Sequence, residues 1–582
     1  MCKSSVLPCL TALWIFGVFG PASEAAQRPC ESLANLEFAI PNMKITLAQS
    51  VAAGAFIPPP GPSATSGTPT NYKDLPAFCR VVAEVSPTAD SAIKLEVWMP
   101  TSGWNGKFQG QGNGGFAGVI GYSAMGAAIK RGYATAGTDT GHTGGDAAWA
   151  LGHPEKVIDF GYRGLHEMTL KAKTIMTAFY SNRPRHSYFA SCSDGGREAL
   201  MEAQRFPEDY DGILAGAPAN FWTHLLVGAM WVNLATTLDQ ASYIPSGKLP
   251  AIGAAVMAAC DAQDGLTDGI LNDPRQCHFD PTTLLCKSAD SNSCLTAPQV
   301  AALKKIYAGP RDSAGQPLFP GYVPGAEEGP GGWGIWITGS QPGRSLLFFF
   351  GTQYFTDMVY EQAAWDYKTF NLEAATNLAD RKTARPLNAT DPNLEPFRAR
   401  GGKLIMYHGW GDAAIPAPNT IDYYNSVVAT MGQRNTDSFL RLYMAPGMQH
   451  CRGGPGPNSF GQDANSPPDD PEHNIYTALE LWVEKGVAPS RITATKYVND
   501  SNPAQGVKMT RPLCPHPQVA KYKGTGDTND AANFVCAPGA QLGGLRYGAD
   551  DWHTGWVASI FGDLLVRNRE FVFTMPAEED PW

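Results

Sequence analysis

Two cysteines each stand beside a residue of catalytic type, in the dipeptides Cys192-Ser193 and His450-Cys451. A disulfide holds its two Cα atoms about 4.4–6.8 Å apart, and neighbouring Cα atoms along a chain are about 3.8 Å apart. If Cys192 and Cys451 are bonded to each other, Ser193 and His450 must therefore lie close together, although they are far apart in the sequence. This constraint would fix how two distant parts of the chain meet.

The residues around Ser193 have the pattern of a nucleophile elbow, which is a sharp turn between a strand and a helix. Residues 186–191 are rich in aromatic side chains and predict a strand, and residues 194–205 predict a helix. The usual elbow is G-x-S-x-G, because small flanking residues let the strained turn close. Here Ser191 replaces the first glycine and Gly195 is the second. Taken alone, Ser193 is either a nucleophile or part of an ordinary strand-to-helix turn.

Two later loops supply the partners that a serine nucleophile needs. Residues 403–408 predict a buried strand that is followed by Asp412, and residues 439–444 predict another that is followed by His450. Each residue alone has an ordinary explanation, Asp412 as a turn former and His450 as a satisfied polar residue. The chain order Ser193, Asp412, His450 is that of α/β-hydrolases rather than of chymotrypsin or subtilisin. Together with the two cysteines, it indicates a catalytic triad.

Three motifs of the chain resemble those of the tannase and feruloyl esterase family, which also includes a mono(2-hydroxyethyl) terephthalate hydrolase. The motifs are Cys192-Ser-Asp-Gly-Gly196, Tyr407-His-Gly-Trp-Gly-Asp412 and Pro446-Gly-Met-Gln-His-Cys451. The similarity extends from about Cys30 to Cys536, and the residues beyond it fall outside the resemblance. The resemblance implies an α/β-hydrolase fold and the hydrolysis of aromatic esters, such as feruloyl or galloyl esters, through an acyl-enzyme.

The first 26 residues predict an export signal. Lys3 is followed by an apolar stretch, and small residues at Ala25 and Ala26 offer a cleavage site. The apolar stretch is shorter than the roughly 20 residues that span a bilayer, so a membrane anchor is the weaker interpretation. We therefore expect a secreted or periplasmic protein.

Cysteine usage agrees with export. Of the 12 cysteines, Cys2 and Cys9 belong to the predicted signal, and the remaining ten form an even number, as is usual in an oxidising compartment. A zinc site is the competing interpretation, but no C-x-x-C pair occurs and the spacing is irregular. Sequence alone does not fix the pairing. The resemblance implies the five disulfides Cys30–Cys79, Cys192–Cys451, Cys260–Cys277, Cys286–Cys294 and Cys514–Cys536.

The pattern of predicted strands divides the chain. Strand-like runs at residues 94–99, 133–136, 186–191 and 212–215 alternate with helical segments, as a mostly parallel sheet requires. The alternation stops after Pro218 and resumes near Lys403. A chain of 582 residues suggests more than one domain. We predict the α/β class, with an α/β-hydrolase core formed by residues 27–218 and 400–582 and a large lid domain, residues 219–399, inserted over the active-site face.

Within the predicted lid, Asp261, Asp264 and Asp268 lie close together beside two glycines. Oxygen-rich loops of this kind suit Ca²⁺, although the spacing does not match an EF-hand and a solvated acidic turn has the same composition. The resemblance implies a structural calcium site, in which these three carboxylates and the backbone carbonyls of Leu266 and Ile270 are the ligands. No organic cofactor is expected.

An oxyanion hole needs two backbone N–H groups. One is expected from Asp194, the residue after the nucleophile, and the other from a glycine-rich loop after an early strand. The run Gly110-Gln-Gly-Asn-Gly-Gly115 fits this description, and the resemblance favours Gly115. Phosphate binding is the rival use of a glycine-rich loop, but no G-K-[ST] run follows it.

Aromatic residues in the middle of the predicted lid either form a pocket for a planar acyl group or make up the lid's own core. They are Trp333, Trp336, Phe348, Phe349, Phe350, Tyr354 and Phe355. The terephthalate hydrolase of the family uses a lid arginine to hold a free carboxylate. In this chain the matching stretch, residues 346–351, has no arginine, and Arg344 is only an approximate substitute. We therefore expect feruloyl, galloyl or related esters, with terephthalate monoesters as the alternative.

Charge narrows the range of partners. The formal net charge is −10 and no Lys/Arg-rich run occurs, which argues against binding to nucleic acids or anionic membranes. The expected partner is a small aromatic ester or an ester-decorated polymer. A secreted binding protein with a dead active site is the alternative from another class, and the intact set Ser193, Asp412 and His450 argues against it.

Overall fold

The computed structural model describes residues 27–60, 71–462 and 468–539, so the predicted export signal and most of the chain after Cys536 lie outside the described residues. The strands are β1 (Met43–Val51), β2 (Phe78–Val85), β3 (Ile93–Pro100), β4 (Lys107–Gln111), β5 (Ala134–Thr138), β6 (His186–Cys192), β7 (Gly212–Gly216), β8 (Lys403–Gly409), β9 (Leu440–Ala445), β10 (Ile492–Tyr497), β11 (Val507–Leu513), β12 (Gln518–Tyr522) and β13 (Phe534–Pro538). The α-helices are α1 (Tyr122–Lys130), α2 (Pro154–Ile158), α3 (Gly164–Tyr180), α4 (Asp194–Arg205), α5 (Trp222–Thr237), α6 (Leu249–Cys260), α7 (Ala297–Ala308), α8 (Trp333–Trp336), α9 (Leu346–Gln353), α10 (Leu372–Leu387), α11 (Glu395–Ala399), α12 (Pro418–Met431), α13 (Gln433–Phe439) and α14 (Ile475–Lys485).

One large sheet organises the molecule. Its nine strands have the order β1-β2-β3-β5-β4-β6-β7-β8-β9. Strands β4 to β9 run parallel to one another, and β1 to β3 form an antiparallel edge. Because the carboxyl ends of parallel strands meet at one edge of a sheet, the loops after β4, β6, β8 and β9 come together there. The architecture confirms the predicted α/β class and the α/β-hydrolase core.

Helices cover both faces of this sheet. Helices α3, α4 and α12 contribute buried side chains to the hydrophobic core on one face, and α1 and α14 contribute to the core on the other. The short strands β5 and β7 are buried along their whole length, as expected for parallel strands between two layers of helices. Two small antiparallel sheets, β10 with β11 and β12 with β13, follow α14. They were not predicted from the sequence.

Residues 217–402, called the insertion below, lie between the neighbouring strands β7 and β8 and contain helices α5 to α11. The insertion does not have a hydrophobic core of its own. Its buried side chains share one core with Phe116 and Phe160, which precede the elbow, and with residues 413–415, which follow Asp412. The insertion is therefore packed on the edge of the sheet where the strand-end loops meet. Its role as a lid stays a prediction.

Five disulfides join the ten described cysteines in the pairs that the resemblance implies. Four of them close loops of 8 to 49 residues. The fifth, Cys192–Cys451, spans 259 residues and connects the end of β6 to the loop after β9. Among the described residues, no helix combines the length and the apolar character needed to cross a membrane.

Candidate active site

Ser193 occupies a sharp turn between β6 and α4. Its backbone has φ 69° and ψ −125°, a region that residues with a side chain rarely adopt. Two glycines make this turn possible. A Cβ added to Gly195 would lie 1.9 Å from Ser191 Oγ, and one added to Gly196 would lie 2.3 Å from Gly216 O. The elbow therefore has no room for larger residues at these two positions, which explains why glycine follows Asp194 twice.

Ser193, His450 and Asp412 form a continuous chain of hydrogen bonds. His450 Nε2 lies 2.9 Å from Ser193 Oγ, and His450 Nδ1 lies 2.8 Å from Asp412 Oδ2. Asp412 is buried, and its Oδ1 accepts the backbone N–H groups of Ala414 at 2.8 Å and Ile415 at 2.9 Å. The structure thus brings together all three side chains that the sequence singles out as a triad.

Two neighbouring histidines lower the pKa of Asp412 and so favour its ionised form. Burial alone would raise the pKa of this carboxyl, but the facing imidazoles of His450 and His408 hold it well below its usual range. An ionised Asp412 accepts a hydrogen bond from His450 Nδ1, which leaves Nε2 free to act as a base toward Ser193. The arrangement can therefore move a proton from a serine hydroxyl to an imidazole.

The Cys192–Cys451 disulfide links the nucleophile and the base through their sequence neighbours. The two Cα atoms are 6.0 Å apart, within the range expected for a disulfide. Cys451 has φ 61°, in the left-handed region that residues other than glycine rarely adopt. Both Ser193 and Cys451 therefore have unusual backbone conformations, and the bond between Cys192 and Cys451 holds their two loops together.

The predicted oxyanion loop is hydrogen-bonded to the elbow. Asn113 O accepts the Gly195 N–H at 3.0 Å, and Asn113 N–H donates to Glu198 Oε2 at 2.8 Å. Gly115 has φ 61°, and a Cβ at this position would lie 3.2 Å from the Phe350 ring. Glycine is therefore favoured by both conformation and space. The use of the Gly115 and Asp194 N–H groups as the oxyanion hole stays a prediction.

Behind the elbow, one buried cation faces two buried carboxyls. Arg197 Nε donates to Asp194 Oδ1 at 2.6 Å, and its remaining N–H groups donate to the carbonyls of Phe160 and Gly161. Burial raises the pKa of Asp194, and burial together with the facing Asp194 carboxylate raises the pKa of Glu198 to about 8. The raised pKa of Glu198 favours its neutral form, which limits the negative charge close to the predicted oxyanion hole.

Five of the seven predicted aromatic residues of the insertion fall into two groups. The Trp336 ring lies edge-to-face with the His450 ring at 5.1 Å, and the Phe350 ring stacks on Trp336 at 6.0 Å. Trp333, Tyr354 and Phe355 are instead buried in the shared core.

The remaining two residues of the predicted aromatic set, Phe348 and Phe349, belong to neither group. Phe349 packs against Phe350 and Phe116, whereas Phe348 contacts Tyr367. Arg344, the approximate substitute for a carboxylate-binding arginine, is exposed. Of the predicted set, Trp336 and Phe350 are therefore the residues that lie beside His450 and Gly115.

The acidic loop of the insertion closes on itself. Both carboxylate oxygens of Asp261 accept the Gly269 N–H, and Asp264 and Asp268 also accept backbone N–H groups of this loop. Burial and neighbouring carboxylates raise the pKa values of Asp264 and Asp268, and Arg511 donates to Asp268 at 2.7 Å. The donors are all oxygens, which is the ligand type that suits Ca²⁺. The use of these residues as a calcium site stays a prediction.

Some residues around the triad were not singled out from the sequence. His408 contacts Asp412, Asn113 fixes the oxyanion loop, and Gln449 Nε2 donates to Glu328 O in the insertion at 3.0 Å. His408 and Gln449 lie inside the motifs that carry the family resemblance. Their positions in those motifs were the available signal, but a motif does not show which atoms its members contact.

Comparisons with known proteins point to one family. The family model described as tannase and feruloyl esterase matches residues 79–537. An uncharacterised esterase of Xanthomonas campestris pv. campestris is 43% identical over 542 residues, covering 88% of this chain and 92% of the relative. A probable feruloyl esterase B-1 of Aspergillus fumigatus is 32% identical over 540 residues, covering 90% of this chain and 100% of the relative.

Solved structures share the fold. Feruloyl esterase B from Aspergillus oryzae superposes with a TM-score of 0.78 at 29% identity, covering 88% of this chain and 100% of that one. Tannin acyl hydrolase from Aspergillus niger superposes with a TM-score of 0.67 at 23% identity, covering 88% of this chain and 95% of that one.

Proposed function

The chain belongs to the tannase and feruloyl esterase family and is a carboxylic ester hydrolase, and from this premise we propose that it cleaves esters of aromatic acids with Ser193, His450 and Asp412 as its catalytic triad. Feruloyl, galloyl and related hydroxybenzoyl or hydroxycinnamoyl esters are the proposed substrates. The observation that carries the proposal is the unbroken hydrogen-bond chain from Ser193 Oγ through His450 to Asp412.

The first step is acylation of the enzyme. His450 Nε2 takes the proton of Ser193 as Oγ attacks the ester carbonyl, and Asp412 stabilises the imidazolium that forms. The tetrahedral intermediate then collapses, and His450 gives the proton to the departing alcohol oxygen. In the second step water loses a proton to His450 as it attacks the acyl carbonyl. The tetrahedral intermediate then collapses, His450 returns the proton to the departing Ser193 Oγ, and the acid is released.

The negative charge on the carbonyl oxygen needs two donors. We assign this role to the backbone N–H groups of Gly115 and Asp194. The hydrogen bond between Asn113 O and the Gly195 N–H supports this assignment, because it fixes the two loops relative to each other. Such preorganised donors do not need to reorganise when charge develops, and removing one typically costs about 10²–10³ in kcat.

Trp336 and Phe350 support an aromatic acyl group. Stacked rings beside His450 offer a flat apolar surface on which a phenolic ring can lie. Arg344, the approximate counterpart of a carboxylate-binding arginine, is exposed and the matching stretch has no arginine, so a terephthalate monoester, with its free carboxylate, is not favoured.

We also propose a structural Ca²⁺ ion in the acidic loop, held by Asp261, Asp264 and Asp268 with the carbonyls of Leu266 and Ile270. When bound, the ion neutralises carboxylates that otherwise repel each other, and it takes no part in the chemistry. Export to the periplasm or the cell exterior is proposed as well, because five disulfides are typical of proteins in oxidising compartments.

The test combines labelling with a substrate panel. A fluorophosphonate probe should label the parent protein on Ser193 and should not label Ser193→Ala. Methyl ferulate and methyl gallate should be hydrolysed with a higher kcat/KM than a terephthalate monoester. A folded Ser193→Ala protein with full activity, or a parent that is never labelled, would refute the proposed triad, and the second result would favour a dead binding protein.

The aromatic surface has its own test. Trp336→Ala should lower kcat/KM for methyl ferulate by about tenfold or more, because the acyl ring loses a stacking partner, while the value for ethyl butyrate changes little. Trp231→Ala is a matched control, since Trp231 lies in α5 and donates to Lys305 O. Equal losses on both esters would contradict the proposed acyl pocket.

A further inference from the structure

A second histidine contacts the aspartate of the proposed triad. His408 lies near the end of β8 and is fully buried. Its Nε2 atom is 3.1 Å from Asp412 Oδ2 and 3.1 Å from the backbone carbonyl of Ile415. The proposed acyl-transfer steps do not use this residue.

The surroundings of His408 define where its proton lies. Its Nε2 faces two oxygens that can only accept, the Asp412 carboxylate and the Ile415 carbonyl, so Nε2 must carry the proton. On the other side of the ring, the Thr420 hydroxyl lies 2.7 Å from Nδ1, where it can donate. The network therefore places a proton on Nε2, where it faces both Ile415 O and Asp412 Oδ2.

This contact completes the hydrogen bonding of Asp412. Its Oδ1 accepts two backbone N–H groups, from Ala414 and Ile415. Its Oδ2 lies 2.8 Å from His450 Nδ1 and 3.1 Å from His408 Nε2, which also faces Ile415 O. A carboxylate has about four lone-pair sites, so three sites are hydrogen-bonded and His408 Nε2 faces the fourth. With donors on both oxygens, the carboxylate plane cannot rotate without breaking several hydrogen bonds in a dry environment.

We propose that His408 is a positioning residue, which holds the Asp412 carboxylate in the orientation that His450 requires and shares its negative charge. The inference rests on the proposed function, because it gives His408 a role only through the triad. Two effects follow from losing the Nε2–H donor. The carboxylate gains freedom to rotate away from His450, and the charge that His408 no longer shares binds the His450 imidazolium more strongly.

The second effect gives a signature in the pH profile. A more strongly held imidazolium loses its proton at higher pH, so the acid limb of kcat/KM should move upward. The titratable groups facing Asp412 are His408 from β8, His450 from the loop after β9, and Tyr322 from the insertion, whose hydroxyl donates to Ala414 O at 3.2 Å. Tyr322 has a raised pKa because it is buried, so it does not contribute to an acid limb.

The experiment compares His408→Met with His408→Gln. The two replacements have similar length, but only glutamine keeps an N–H group that can reach Asp412. Against methyl ferulate, His408→Met should lower kcat by about tenfold or more and move the acid limb of kcat/KM upward by about half a pH unit or more. His408→Gln should restore most of kcat and the parent limb. A role in stability alone would lower Tm in both variants without moving the limb.

Thr420→Val provides an independent test that leaves His408 in place. Valine has a similar shape but cannot form a hydrogen bond with Nδ1, so the imidazole loses the contact that fixes its orientation toward Asp412. This variant should show the same shift with a smaller loss of kcat, and it decides the question if His408→Met does not fold.

The outcomes separate this inference from the proposed function. An active parent whose folded His408→Met and Thr420→Val variants keep the parent kcat and acid limb would overturn the role of His408 alone. An inactive parent, or an active Ser193→Ala, would overturn the proposed function and this inference with it.

Discussion

Removing the Cys192–Cys451 disulfide should lower catalysis before it unfolds the protein. The perturbation is the double variant Cys192→Ala and Cys451→Ala. The bond spans 259 residues, and in the chain-entropy model closing a loop of that length stabilises the fold by about 5.5 kcal/mol. This figure is an upper bound, because unfolded chains with four remaining disulfides are already restricted.

The local effect follows from the backbone next to the bond. Ser193 has φ 69° and Cys451 has φ 61°, and conformations of this kind cost about 1–3 kcal/mol each. The disulfide helps to hold both, so without it the elbow and the loop of His450 can relax toward ordinary conformations. A displacement of about 1 Å at reacting groups can cost on the order of 10² in rate, so we expect kcat to fall by about 10- to 100-fold.

The assay is methyl ferulate hydrolysis at a temperature where circular dichroism shows both parent and variant folded. The matched control is the double alanine variant of Cys286 and Cys294, which removes a disulfide that closes a loop of only 8 residues in the insertion and should keep the parent kcat. An unchanged kcat in the Cys192/Cys451 variant, or mass spectrometry that finds either thiol free in the native enzyme, would refute the reasoning.

Two further predictions concern stability. Burial and Asp194 raise the pKa of Glu198 from an ordinary value near 4.5 to about 8, so the folded state holds this proton more tightly than the unfolded state and Glu198 lowers stability increasingly as pH rises from about 5 to 8. Glu198→Gln should therefore raise Tm relative to the parent more at pH 9 than at pH 5. An equal rise in Tm at both pH values would contradict this prediction. So would the same pH trend in Glu208→Gln, which replaces an exposed glutamate and serves as the control. Chelation of calcium should lower the Tm of the parent by about 5 °C or more, and added Ca²⁺ should restore it. Asp264→Asn should have a low Tm that no longer responds to the chelator. A parent Tm that is insensitive to the chelator would rule out the calcium site.

The parts of the fold that were predicted correctly have strong local signals. The segments predicted as strands at residues 133–136, at the elbow and before Asp412 correspond to β5, β6 and β8, because parallel strands covered on both faces are short apolar runs with clear boundaries. The run at residues 94–99 corresponds to the antiparallel strand β3. Helix α4 begins at Asp194 as predicted, since the elbow leaves no alternative to a helix after the turn. The antiparallel strands β1 and β2 were not predicted. Exposed residues interrupt the apolar pattern of the edge strand β1, and half-buried residues alternate with buried ones in its neighbour β2.

The site shows the same division. The motifs indicated which residues form the triad because each of them follows a predicted strand. The contacts of Trp336 and Phe350 with the site could not be predicted, because the packing of seven helices determines which aromatic residues face Ser193. Likewise, in the sequence His408 is only the last residue of a predicted buried strand. The turn that follows β8 brings Asp412 back to its Nε2, and the sequence does not show this contact.

The hydrophobic core that the insertion shares with the rest of the molecule affects how this family can be engineered. An insertion with its own interior could be exchanged between relatives as a module. Here the insertion meets Phe116 on the loop that carries Gly115, and it meets residues 413–415 directly after Asp412. A transplanted insertion would therefore disturb the loops that carry the proposed catalytic groups. Specificity is better changed by single substitutions at the proposed acyl pocket than by exchanging the whole insertion.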